Sequence, residues 1–165
     1  AKGLLKAAIR EKDPILFFEH KFLYQMEGEV PEENYLLPIG KADIKRSGKD
    51  LTIISYSYTL HKALKAAEML EQDGVDAEIL DLRTLSPLDT DAVISSARKT
   101  GRVLVVHESV QDFGVGAEIA AVIAESAAFF HLKQPIKRLG GENMPMPRLV
   151  TMCYLQTSWN NGLRL

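Results

Sequence analysis

A single cysteine, Cys153, stands in the 165 residues, and one thiol cannot close an internal disulfide. A disulfide-held secreted scaffold is therefore excluded, and the expected compartment is a reducing one: the cytoplasm, or the mitochondrial matrix in a eukaryote. Basic excess is missing as well. The 20 Lys and Arg face 22 Asp and Glu, a net charge of −2, so nothing in the balance neutralises a phosphate backbone and no nucleic-acid partner is expected. No run approaches the ~18 uninterrupted apolar residues of a membrane-spanning helix, and no basic-then-apolar signal segment opens the chain; no membrane partner is expected either. Metal ligands are sparse, with one cysteine and four widely separated histidines, a poor basis for a zinc site. The G-x-S-x-G, Walker A and EF-hand patterns do not occur.

What is present suits a globular protein. At 46% hydrophobic and 25% charged residues, a chain of this length buries roughly 70% of its unfolded surface, which excludes wholesale disorder. One soluble domain with a piece of a second is the expectation. The first residue is Ala1, which reads as a processed chain or a fragment.

Apolar positions at Leu4, Leu5, Ala8 and Ile9 predict a short amphipathic helix. Ile15 to Phe18, a continuous apolar run, predicts a strand, and Met26 to Pro38, with four glutamates and two prolines, reads as a linker. From Ile39 the pattern becomes regular. A short strand, a Ser47-Gly48 turn and a second strand, Leu51 to Tyr56, predict an edge hairpin. Thr59 is the expected cap of a helix running to about Asp73, with Gly74 at its C-terminal end. Ala77 to Leu82 is the next strand; Ser86 and Pro87 should open a second helix as cap and first residue. Arg102 to Glu108 is a nearly all-apolar strand, and the Gly114 to Gly116 turn should lead into a helix of about 14 residues. Pro135 to Leu139 closes the series. This alternation predicts an α/β fold: a three-layer sandwich around a mostly parallel sheet.

Three features could carry chemistry. Phe113 to Glu118, FGVGAE, lies between a strand and a helix and resembles a phosphate-cradling turn. Ile119 stands where a third glycine belongs, which favours close helix packing over phosphate binding. His107 and Glu108 fall at a strand's carboxyl end, where open α/β sheets place ligands, and a histidine there can act as acid or base. No nucleophile adjoins it in sequence, which favours a structural role. His20 beside Glu19 suits a polar contact, and His61 and His131 read as structural. No residue stands out as catalytic or cofactor-binding.

Six strings acquire meaning together: DPILFFEHKFLY, GEVPEENYLLPIGKADI, DLRTLSPLD, TGRVLVVHE, FGVGAEIA and PIKRLGGENMPMP. In this order and spacing they resemble the C-terminal half of the beta subunit of thiamine-diphosphate-dependent 2-oxo acid dehydrogenases, most like the pyruvate or acetoin type. The resemblance implies that residues 1–25 end a pyrimidine-binding domain, 26–38 link, 39–147 form a transketolase C-terminal-like domain, and 148–165 are a divergent tail. The implied enzyme decarboxylates a 2-oxo acid and passes the acyl group to lipoamide. Its implied partners are an alpha subunit, a second beta subunit in a heterotetramer, and a lipoyl acyltransferase core. Thiamine diphosphate and magnesium would be held mostly by residues outside this chain, which alone is expected to be inactive. A structural potassium ion carries over to Ala8, Ile9, Glu11 and Asp13, whose oxygens suit a hard cation. The alternatives are a fragment of deoxyxylulose-phosphate synthase or transketolase, or a non-catalytic binding module of the same fold.

Overall fold

The computed structural model describes residues 1–143. Its elements in chain order are helix α1 (Lys2–Arg10), strand β1 (Asp43–Arg46), strand β2 (Leu51–Ser55), helix α2 (Ser57–Gln72), strand β3 (Ala77–Asp81), helix α3 (Thr90–Thr100), strand β4 (Val103–Val110), helix α4 (Val115–Glu125) and strand β5 (Lys137–Gly141). Short 3₁₀ turns occupy Lys21–Gln25 and Ala127–His131. The strands form one sheet in the order β1-β3-β2-β4-β5. Parallel pairing sets Ile53 beside Ile79 and Leu104, while β1 alone runs antiparallel, with Asp43 opposite Asp81.

Side chains alternate across the sheet, so neighbouring residues feed opposite cores. Ile54, Leu80 and Val105 pack with Val93 and Ala97 of α3 and Ile119 and Ile123 of α4. Ile53, Ile79 and Val106 pack with Leu60, Ala63 and Ala67 of α2. The sheet is thus covered on both faces, which is why β2 and β3 are buried at every residue, their polar Thr52, Ser55, Glu78 and Asp81 included. The three-layer α/β expectation holds. No helix among the described residues is long and apolar enough to cross a membrane.

Local expectations hold at some element ends and are corrected at others. The end of α2 is as predicted: Gly74 takes φ +80°, its N–H donates to Glu71 O and that of Val75 to Leu70 O, the paired bonds of a Schellman cap. The start of α2 differs. Tyr56 holds the cap position, and Thr59 sits inside the first turn, donating to Tyr56 O at 2.9 Å and accepting from Ser55 Oγ at 3.0 Å. Helix α3 begins three residues later than Ser86-Pro87 suggests, because Asp89 is the stronger cap: Oδ1 accepts from Ala92 N at 3.2 Å while Oδ2 accepts from Ala42 N at 3.1 Å. Helix α4 stops at 11 residues, since Ser126 Oγ donates back to Ile123 O and accepts from Ala128 N, diverting the backbone into the 3₁₀ turn.

The hairpin expectation is overturned: β1 lies at the sheet edge but pairs with β3 and not with β2. Strand β2 spends both its edges on parallel neighbours brought in by helical crossovers, leaving none for β1. Ile15 to Phe18 likewise form no strand. Among the described residues nothing pairs with this segment, and Leu16 and Phe18 are 84% and 88% exposed. An apolar run becomes a ladder only beside a second strand. The 26–38 stretch runs against α1: Lys2 Nζ donates to the carbonyls of Pro31, Glu32 and Glu33, and Leu37 N donates to Gly3 O. Cys153 and the expected 148–165 tail lie outside the described residues.

Candidate functional site

The connection from β2 through α2 leaves toward β3, and that from β4 through α4 leaves toward β5. The point where strand connections diverge, at the carboxyl ends, is where open α/β sheets form a crevice. Here that divergence falls between β2 and β4: Tyr56, Ser57 and Tyr58 follow the carboxyl end of β2, and His107, Glu108 and Ser109 stand near that of β4. Non-glycine residues with positive φ follow the carboxyl ends of all three central strands: Ser57 (57°), Arg83 (56°) and Phe113 (56°). Such strain concentrates at functional regions of folds.

His107 is wholly buried. Its ring sits among three glycines: a Cβ built on Gly116 would stand 2.5 Å from Nε2, and one on Gly114 or Gly140 would fall 3.1 or 3.0 Å from Cε1. The Gly-Val-Gly turn is therefore a packing device for this imidazole, as the mismatch at Ile119 suggests. Ser109 O lies 3.1 Å and Ser109 Oγ 2.8 Å from Nδ1. A carbonyl only accepts, so Nδ1 carries the proton. The Ser109 hydroxyl thus meets no free lone pair on Nδ1 and is not activated by it. Nε2 is buried without a hydrogen-bond partner.

Burial pushes the His107 imidazole below its ordinary range; the positive charge of Arg138 adds to this, and the bond to Ser109 opposes it. Burial first, then the charge of Glu108, raises the Tyr56 phenol, against a hydrogen bond from Ser109. The sign of the histidine effect is testable. Below pH ~6.5 the unfolded chain takes up a proton that folded His107 refuses. Its contribution is complete above that value and is lost as pH falls through the folded pKa, with a slope of at most about 1.4 kcal/mol per pH unit. Urea unfolding between pH 7.5 and 5.5 is expected to show a steeper loss for the parent chain than for His107→Gln; parallel curves would contradict the burial argument.

The other sequence candidates disperse. His20 contacts Glu108, not Glu19, at 3.0 Å, whereas Glu19 accepts from Tyr24 Oη at 2.8 Å. His61 is half-buried on α2, and His131 Nδ1 lies 3.0 Å from Ala127 O. Ala8, Ile9, Glu11 and Asp13 stay together where α1 ends. Ala8 O accepts from Glu11 N at 3.3 Å, while Ile9, Glu11 and Asp13 are exposed. The last carbonyls of a helix carry partial negative charge, and that of Ala8 is already engaged by the Glu11 N–H. Among the described residues no group of three or more His, Cys, Asp or Glu side chains converges on a metal position.

Two charged clusters escaped the sequence reading. Asp43 pairs with Lys45 at 2.6 Å and Arg83 at 2.5 Å; burial works to raise its carboxyl, but the two cations outweigh it and hold it low. Asp81 alongside is raised by burial, against the Arg83 N–H and both cations. Glu78, wholly buried in β3, receives Lys99 Nζ at 2.5 Å. Both clusters join residues far apart in the chain. Tyr58 was overlooked too, although the rule that loops after parallel strands build sites would have singled it out.

The family described as "Transketolase, C-terminal domain" matches residues 40–155. The 2-oxoisovalerate dehydrogenase subunit beta of Bacillus subtilis (strain 168) is 54% identical over 92% of this chain and 47% of its own length. The pyruvate dehydrogenase E1 component subunit beta of Porphyra purpurea is 47% identical over 89% of this chain and 44% of its own. The chain spans about half the length of the curated relatives it matches. A solved structure described as "Split gene transketolase, inactive beta4 tetramer" aligns with TM-score 0.67 and 28% identity, covering 79% of this chain and 41% of that one.

Proposed function

The chain belongs to the transketolase C-terminal domain family, and from that premise we propose that it is the C-terminal half of the beta subunit of a thiamine-diphosphate-dependent 2-oxo acid dehydrogenase. The observation that carries this reading is the 54% identity to a beta subunit across 92% of the chain. The likeness to the split-gene transketolase is weaker in sequence, at 28%, which favours the dehydrogenase over a transketolase fragment. Residues 1–25 then end a pyrimidine-binding domain, 26–38 link, and 39–147 form the C-terminal domain. Its work is assembly: contacts to an alpha subunit and a second beta subunit, and docking to a lipoyl acyltransferase core. The oxidative decarboxylation belongs to the complete complex, in which thiamine diphosphate would supply the carbanion chemistry and magnesium would hold its diphosphate.

Calorimetric titration of the 165-residue chain with thiamine diphosphate and magnesium is expected to be flat. Micromolar binding would place the cofactor seat in this half and sink the assembly reading. The positive arm is co-expression with an alpha subunit and the remaining half of a beta subunit. Co-elution as one complex with 2-oxo-acid-dependent reduction of an artificial acceptor supports the proposal; failure to associate counts against it.

Ala8, Ile9, Glu11 and Asp13 would hold potassium through carbonyl and carboxylate oxygens, fixing the end of α1. The expected signature is a rise in melting temperature in potassium over sodium at matched ionic strength, worth about 1.4 kcal/mol when potassium stands tenfold above its Kd. Equal melting in the two salts overturns the assignment.

A further inference from the structure

The crevice between the carboxyl ends of β2 and β4 is occupied by the chain itself. His20 precedes the 3₁₀ turn Lys21–Gln25, far from the sheet in sequence, and its imidazole is contacted at both nitrogens and on one face. Nδ1 accepts from Phe22 N at 3.2 Å, so Nε2 carries the proton, which it donates to Glu108 Oε2 at 3.0 Å. The ring lies flat on that of Tyr58, centroids 5.0 Å apart and planes 8° apart. Phe22 closes against both rings, at 5.5 and 5.4 Å. Tyr58 itself carries a cation, Lys62, whose Nζ stands 5.3 Å from its ring centroid.

We propose that this crevice is a socket for the chain's own His20, so that the place where such sheets bind a small ligand acts here as a lock between residues 15–25 and the C-terminal domain. Exposure along the segment supports this. The side chain of His20 is only 23% exposed, while Phe18 and Tyr24 on either side of it are 88% and 68% exposed. Within 15–25 only His20 and Leu23 are half-buried, and the remaining residues of the segment are exposed. The socket also has a definite chemistry: a flat aromatic face from Tyr58, an acceptor from Glu108, and a donor from the Phe22 amide. That combination fits a planar five-membered heterocycle with an N–H at one edge and a lone pair at the other. The inference stands on these contacts alone and is independent of the dehydrogenase reading.

The test empties the socket and refills it. In the full chain carrying His20→Gly, amides of residues 21–25 are expected to exchange with solvent at least ~10-fold faster, because the turn loses its cap and anchor. Amides of β2 and β4 should stay protected. Free imidazole at millimolar concentration should then slow that exchange and shift the Tyr58 and Glu108 amide resonances, with no such shift in the parent chain. Adding Glu108→Gln to His20→Gly should weaken imidazole binding several-fold. Unchanged exchange in His20→Gly, acceleration that imidazole does not reverse, or equal shifts in the parent chain each overturn the socket. If His20→Gly does not fold, Glu108→Gln alone decides: faster exchange of residues 21–25 supports the lock, and unchanged exchange refutes it.

Discussion

Alanine in place of Gly48 is expected to cost about 3 kcal/mol and to lower the melting temperature on the order of 10 °C. Gly48 is buried in the turn between β1 and β2. A Cβ there would stand 2.3 Å from both Ala77 C and Glu78 N, and 2.7 Å from Ala77 O. These are backbone atoms of β3, a strand hydrogen-bonded on both sides, so no side-chain rotation relieves the clash. Lys49 N and Asp50 N both donate to Asp76 O, at 3.0 and 2.9 Å, which ties the turn to the start of β3 and blocks retreat. The same exchange at Gly28, where a Cβ meets nothing within 4 Å, is expected to be nearly silent. Thermal melts of the two variants check the argument: a Gly48→Ala chain within 1 kcal/mol of the parent would show that the turn can yield.

Much of this fold is legible in the sequence because its signals are local. Ile53-Ile54 and Val105-Val106 announce strands covered on both faces, and Gly74 ends α2 where a left-handed cap belongs. The errors arise where a distant partner decides. Asp43 to Arg46 and Leu51 to Ser55 look like a hairpin to any reading confined to neighbours, yet β3 takes the place beside β1. Ser86-Pro87 has the local form of a helix start, but Asp89 also satisfies Ala42 N, 47 residues away, and sets the boundary there. The site shows the same division. His107, Glu108 and the Gly114 to Gly116 turn could be singled out from position alone, whereas the pairing of His20 with Glu108 joins residues 88 positions apart in the chain. No periodicity encodes such a pair.

Removing the ammonium of Lys99 is the second large effect. Glu78 is completely buried in β3, and its carboxylate receives Lys99 Nζ at 2.5 Å. The nearest other donor, Thr52 Oγ1, is 3.5 Å away and also lies 3.1 Å from Ser96 O, so it cannot replace the cation. Lys99→Met is therefore expected to cost about 3–5 kcal/mol, the cost of leaving a buried charge unpaired. The reverse deletion is milder. Glu78→Gln keeps the shape, and Lys99, whose side chain is 43% exposed, can turn its ammonium to water; about 1 kcal/mol is expected. It follows that Glu78→Gln with Lys99→Met together should be more stable than Lys99→Met alone, because the second change removes the charge that the first stranded. Urea unfolding of the four chains measures this as a coupling energy. Additivity within about 0.5 kcal/mol would mean that Glu78 reaches water or another cation, and that the ion pair is incidental to the packing of α3 on the sheet.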